Sequence, residues 1–144
     1  MTLDHAIRKA ERILPGEEAP EDKLDPRWQA IIYVSEHIQQ YPEGVWRFTR
    51  KWGAHANKDL RMAVATCLLE HLLEHHFDWV FPLVTKACRE SRRFAWTFSM
   101  CGEFGQTTQR GNRQRFRRLK SQISGSSARA LSQREAADSV CPHL

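Results

Sequence analysis

The sequence predicts an all-α fold, and three observations lead to it. No segment alternates apolar and polar residues over the length of a strand. Gly, Pro and Asn cut the chain into helix-length pieces. Short strings recur at offsets of 33 and 34 residues, about the length of a pair of helices. With 144 residues, 41% hydrophobic and 27% charged, the chain suits one domain with a packed core and argues against wholesale disorder.

The elements follow in order. Thr2 to Leu14 reads as a short helix with Leu3, Ala6, Ile7, Ala10, Ile13 and Leu14 on one face. Pro15-Gly16 ends it, and residues 16–24 form an acidic loop. Asp25-Pro26 reads as an N-cap with Pro at the first helical position, opening a helix to about Gln40. Tyr41-Pro42-Glu43 starts the next, which carries Val45, Trp46, Phe48 and Trp52. Residues 53–57 are a break. A long helix is expected from Lys58 to His76, then another capped by Asp78 with Pro82 near its start. Ser91 is placed to cap a last body helix ending near Phe104.

The long helix is the informative one. At about 100° per residue, Leu60, Val64, Cys67, Leu68, Leu72 and Leu73 cover well over half its circumference. Asp59, Thr66, Glu70 and Glu74 leave one narrow polar strip. A helix at the edge of a bundle needs an apolar stripe of only about 100°. This one is therefore expected to lie between neighbours on both sides.

The recurrences are specific. Asp25-Pro26-Arg27 returns as Asp59-Leu60-Arg61, and Glu36-His37-Ile38 returns as Glu70-His71-Leu72. Trp46 and Phe48 return as Trp79 and Phe81, and Glu103 follows Glu70. With DLRMAVATCLLEHLL over Asp59 to Leu73, where an Asp-x-Arg precedes small and apolar residues, the chain resembles HEAT and armadillo-like α-solenoids from about Asp25 to Phe104. That resemblance implies a short right-handed α-solenoid of about two and a half HEAT-like helical hairpins. It also implies a non-enzymatic scaffold that binds partners along the concave face lined by second helices. A second resemblance, on the tryptophans, is to alkylpurine DNA glycosylases built of HEAT-like repeats. Those use a basic concave face, and the body here is slightly acidic.

Charge divides the chain. Residues 1–105 hold 14 Lys/Arg against 15 Asp/Glu, and residues 106–144 hold 8 against 2. The net charge of +5 thus belongs to the C-terminal segment. Residues 1–105 are read as the helical domain. Residues 106–144, rich in Gln, Ser and Arg, are read as a flexible or loosely docked basic tail in which Phe116, Leu119 and Ile123 make one or two weak amphipathic turns.

Three sets of residues are chemical candidates. Glu36, Glu70 and Glu103, with Glu74, would stand as an acidic ladder on equivalent helices and favour a basic peptide or protein. An ordinary solvated helix face is the plainer reading. Arg110, Arg113, Arg115, Arg117, Arg118 and Lys120 crowd six cations into eleven residues. They offer a nucleic-acid interface as the alternative function, or simply keep a tail soluble. His71-Leu72-Leu73-Glu74-His75 is an HxxEH string that resembles the zinc motif of inverzincin peptidases. Cys67 lies one turn earlier, so Cys67, His71 and His75 are the metal candidates. Two histidines hydrogen-bonding inside a helical stack explain the same string. Arg92-Arg93 with Trp96 is noted as a cation–aromatic cluster.

No Gly-rich phosphate loop or GxSxG elbow occurs, so no cofactor and no enzymatic role are expected. Four cysteines, without CxxC spacing, and the absence of an apolar leader point to a reducing, cytoplasmic location. No membrane association is expected.

Overall fold

The computed structural model describes residues 1–20 and 23–125 in full and 126–136 as backbone. All its regular elements are helical among these residues. Helix α1 is Leu3–Ile13, α2 Pro26–Ser35, α3 Pro42–Trp52 and α4 Lys58–Val64. A π turn, Ala65–Leu69, joins α4 to α5, Glu70–Glu90. Helix α6 is Arg92–Ser99, a 3₁₀ turn spans Gly105–Thr108, and α7 is Arg110–Ala136. No described helix is long and apolar enough to cross a membrane. The acidic loop expected over residues 16–24 includes positions 21 and 22, which lie outside the described residues.

Helix starts follow local chemistry. Thr2 accepts from the His5 N–H, and Asp25 accepts from the Arg27 N–H with Pro26 at the first helical position. Asn57 accepts from the Leu60 N–H, and Ser91 from the Phe94 N–H. The Asp78 cap is corrected. The backbone leaves helical geometry at His76 (φ −138°, ψ 41°), and Gln106 takes over there. Its Oε1 accepts from the Phe77 N–H at 2.9 Å, while its Nε2 donates to the His75 carbonyl at 2.8 Å. His76 Nε2 reaches the Ile38 carbonyl at 3.0 Å.

The segment from Lys58 to the break is packed by α2, α3 and α6. Leu60, Val64, Ala65, Leu68, Leu69, Leu72 and Leu73 are all buried. The π turn interrupts the regular wheel, because an i→i+5 turn takes up one extra residue. Side chains beyond Leu69 are therefore rotated from the positions that uniform spacing assigns.

The C-terminal segment differs from the tail expected over residues 106–144. Thr107 and Phe116 are fully buried, Leu119 is nearly so, and Phe116 meets Phe98 edge-on with centroids 5.0 Å apart. Phe116, Leu119 and Ile123, spaced three and four apart, form the stripe that lays α7 against α6. Burying Phe116 alone contributes about 1.5–3 kcal/mol. The core thus extends past residue 105, and Gly105 (φ +51°) makes the turn that brings the chain back, with the Glu74 backbone too close for any side chain there. The part of the expected tail beyond residue 136 lies outside the described residues.

Candidate anion-binding corner

The acidic ladder is not built as expected. Glu36 follows the end of α2, Glu70 sits inside the continuous long helix, and Glu103 lies in the connection after α6. Equivalent positions on equivalent helices are absent from this set. Three of the four acids are engaged by their own chain. Glu70 Oε2 accepts from the Gly102 N–H at 2.7 Å. Glu74 Oε1 contacts His71 Nδ1 at 2.8 Å and His75 Nε2 at 3.3 Å. Glu103 accepts from Arg113 Nε at 3.0 Å and Arg117 Nε at 2.8 Å. Those guanidinium groups, Arg117 first, hold its carboxyl below the usual range. Glu36 is exposed.

The basic run is largely engaged as well. Besides Arg113 and Arg117, Lys120 Nζ donates to the Cys101 carbonyl at 2.5 Å. The Arg115 guanidinium lies 4.9 Å from the Phe81 ring centroid. Arg110 and Arg118 are exposed. These cations fasten α7 to the body. The metal candidates separate too. His71 and His75 share Glu74, whereas Cys67 falls in the π turn, its thiol pushed up by burial. Among the described residues no three of His, Cys, Asp and Glu are grouped to hold a metal ion.

A different set of charges is left open, and the repeated Asp-x-Arg explains it. In the first copy Asp25 is the N-cap, in extended backbone, so its carboxylate swings back onto Arg27 at 2.9 Å. In the second copy the helix starts two residues earlier relative to the motif. Asn57 is the cap, and Asp59 lies within α4. Helical residues two apart point to different sides, so Asp59 does not face Arg61. It turns instead to Arg27 Nη2 at 2.8 Å and to the Trp28 indole N–H at 3.1 Å. Arg27, 2% exposed, thus holds two carboxylates, and Arg61 holds none.

Arg61 is 1% exposed, and its Nε and Nη1 are buried without a hydrogen-bond partner among the described residues. Its guanidinium lies 4.7 Å from the Trp96 ring centroid, and Lys58 Nζ, one turn away, lies 5.5 Å from the same ring. Arg93, one turn before Trp96 on α6, adds a third cation. Burial and then the Arg93 charge lower the Arg61 pKa. None of Lys58, Arg61 and Arg93 has an ion pair among the described residues. His55 stands nearby, its pKa lowered by burial and by the charges of Arg93, Arg61 and Arg27. Its Nδ1 accepts from the Asn57 N–H at 3.1 Å, which suits the neutral ring.

The scaffold around this corner is tightly fixed. Thr97 Oγ1 donates to the Gly53 carbonyl at 2.6 Å, tying α6 to the connection that carries His55. Gly53 itself packs against the Phe94 ring, where a Cβ would come within 2.9 Å. A buried cation normally has a carboxylate or a set of acceptors around it. Here the Trp96 ring and Lys58 lie beside it, Arg93 adds a like charge, and no carboxylate offsets it among the described residues. The sequence signal existed in Arg93 with Trp96, but Lys58 and Arg61 come from another helix. Comparison with protein-family models, with curated proteins and with solved structures gives no match.

Proposed function

We propose that the chain is a non-enzymatic interaction module that docks a partner through an anionic group received by the surface cations Lys58 and Arg93 beside Trp96, drawn there by the uncompensated charge of Arg61 beneath. The observation that carries this reading is the buried, unpartnered Arg61 guanidinium. The acidic-face reading has less support, because Glu70, Glu74 and Glu103 are already engaged within the chain. The nucleic-acid reading through the basic run is weakened in the same way by the contacts of Arg113, Arg115, Arg117 and Lys120. The architecture we read is a short HEAT-like solenoid. It is supported by the packing of α1 on α2, of α5 on α6, and of the central helix between its neighbours. A reducing, cytoplasmic setting belongs to the same proposal and is supported by the free thiols of Cys67, Cys88 and Cys101. Cys141 lies outside the described residues.

The test is a titration at constant ionic strength, read by the fluorescence and indole N–H resonance of Trp96. Small anions should perturb Trp96 in the parent and not in Lys58→Gln/Arg93→Gln. A basic peptide should not. Binding of the peptide, lost in Glu36→Gln/Glu74→Gln, with no response to anions, would instead establish the acidic face.

A further inference from the structure

We infer that the outward face of α7 is a surface for the phosphate backbone of a nucleic-acid duplex. Residues 110–125 carry Arg110, Arg113, Arg115, Arg117, Arg118 and Lys120 and no Asp or Glu. The contacts that fasten this segment count against a loosely attached arm, but they leave its charge standing. Among the described residues Glu103 alone opposes it with a carboxylate, shared by Arg113 and Arg117. Arg115 rests on the Phe77 and Phe81 rings, and Lys120 on the Phe116 ring and the Cys101 carbonyl, all of them neutral groups. Arg110, Arg115, Arg117 and Arg118 remain exposed. Residues 1–105 are close to neutral, so the positive field is concentrated on this one helix.

The composition of the outward face selects the partner. At about 100° per residue, the side of α7 opposite Phe116, Leu119 and Ile123 carries Arg110, Gln114, Arg117, Arg118 and Ser121, all exposed. None of these is apolar and none is acidic. A helix that lies in a membrane surface needs an apolar face for the lipid. The centre of a protein–protein interface needs aromatic or aliphatic anchors. A single strand is held by aromatic rings on which its bases stack. The backbone of a duplex needs none of these, because Arg, Gln and Ser side chains are the donors that meet phosphate oxygens. Residues 110–125 extend over about 24 Å, the span of about seven phosphates along one strand. The helix is already folded and packed on the body through Phe116 and Leu119, so binding avoids the ordering cost that a disordered basic arm incurs.

The experiment is fluorescence anisotropy of a labelled DNA duplex of mixed sequence, titrated with the full chain at several salt concentrations. The electrostatic part of such binding does not depend on base sequence, so one duplex is a sufficient probe. Parallel probes are one of its strands alone, poly-glutamate, and vesicles of phosphatidylserine and phosphatidylcholine. The expected result is duplex binding that weakens steeply with salt and is tighter than binding of the other three at equal ionic strength. Arg110→Gln/Arg118→Gln changes two exposed side chains outside the ion pairs among the described residues, and its circular dichroism should match the parent. It should lower duplex affinity by about tenfold or more and reduce the slope of log affinity against log salt by about 2. Lys58→Gln/Arg93→Gln should bind the duplex as the parent does. Absence of duplex binding, an affinity and slope unchanged in Arg110→Gln/Arg118→Gln, or equal or tighter binding of any other probe overturns the inference and leaves the docking reading at Trp96 standing. A loss of duplex binding confined to Lys58→Gln/Arg93→Gln overturns it in favour of that corner.

Discussion

Replacing Arg61 by Met should stabilise the protein. Arg61 is 1% exposed, with Nε and Nη1 buried and unpartnered among the described residues. Each such donor costs roughly 1–3 kcal/mol, and more when the group is charged. The contact with the Trp96 ring returns about 0.5–2 kcal/mol. Met keeps most of the apolar stem and removes the charge. The net gain should be about 1–4 kcal/mol, the size seen when buried ionic groups give way to apolar ones. For a chain of this length that raises Tm by about 3–5 °C per kcal/mol. The control is Arg27→Met, where Asp25 and Asp59 would lose the guanidinium they share. It should cost about 2–3 kcal/mol, moderated because Asp59 is one-third exposed. Urea denaturation of the three proteins measures both changes. A loss of more than about 1 kcal/mol in Arg61→Met would show that Arg61 holds the fold together and is not an uncompensated buried charge.

Three further outcomes follow from the packing. Gln106→Ala should cost about 1–3 kcal/mol and speed hydrogen exchange at the Phe77 amide, since both backbone groups at the His76 break lose their partner. Phe116→Ala should cost about 3–5 kcal/mol by thermal or urea denaturation, and truncation after Gly105 should destabilise the body, whereas a detached tail predicts no change in either. Glu103 has its pKa held down in the folded state by Arg117 and Arg113, so its contribution is present above the ordinary carboxylate range and is lost as pH falls through the depressed value. Acid titrations of Tm for the parent and Glu103→Gln should therefore converge toward low pH; curves that stay parallel would remove Glu103 from the account.

What was legible in the sequence is what local chemistry decides. Thr2, Asp25-Pro26 and Ser91 were readable as helix starts because a cap acts within three residues. The burial of Leu68 and Leu72 followed from the wide apolar face. The break near His76 was readable from Asp78 and Pro82, but its cap was not, because Gln106 arrives from 29 residues downstream of Phe77. Helix α7 was hidden by its composition: a stripe of three apolar residues suffices once Phe98 offers a partner ring. The acidic ladder failed because recurrence in sequence does not fix recurrence in backbone setting. One slip in a helix start, or one π turn, moves a side chain to another face.

That slip supplies its own test. Asn57 caps α4 and stands four residues before Arg61, on the same side of the helix, whereas Asp59 stands two before it and faces elsewhere. Asn57→Asp keeps the cap, since Asp and Asn serve that role equally well. It adds a negative charge at the start of the helix and one turn from the uncompensated Arg61 guanidinium. The charge should stabilise the fold by about 0.3–1 kcal/mol through the helix end alone, and by more if the carboxylate reaches Arg61. It should also compete with an incoming anion, lowering its affinity by about threefold or more. The same carboxylate at an exposed position in the connection after α2, Gln39→Glu, should do neither. Stability and affinity are thus expected to move in opposite directions at residue 57, as they are at residue 61. A gain in stability with undiminished anion binding would place the anion somewhere other than beside Lys58 and Trp96.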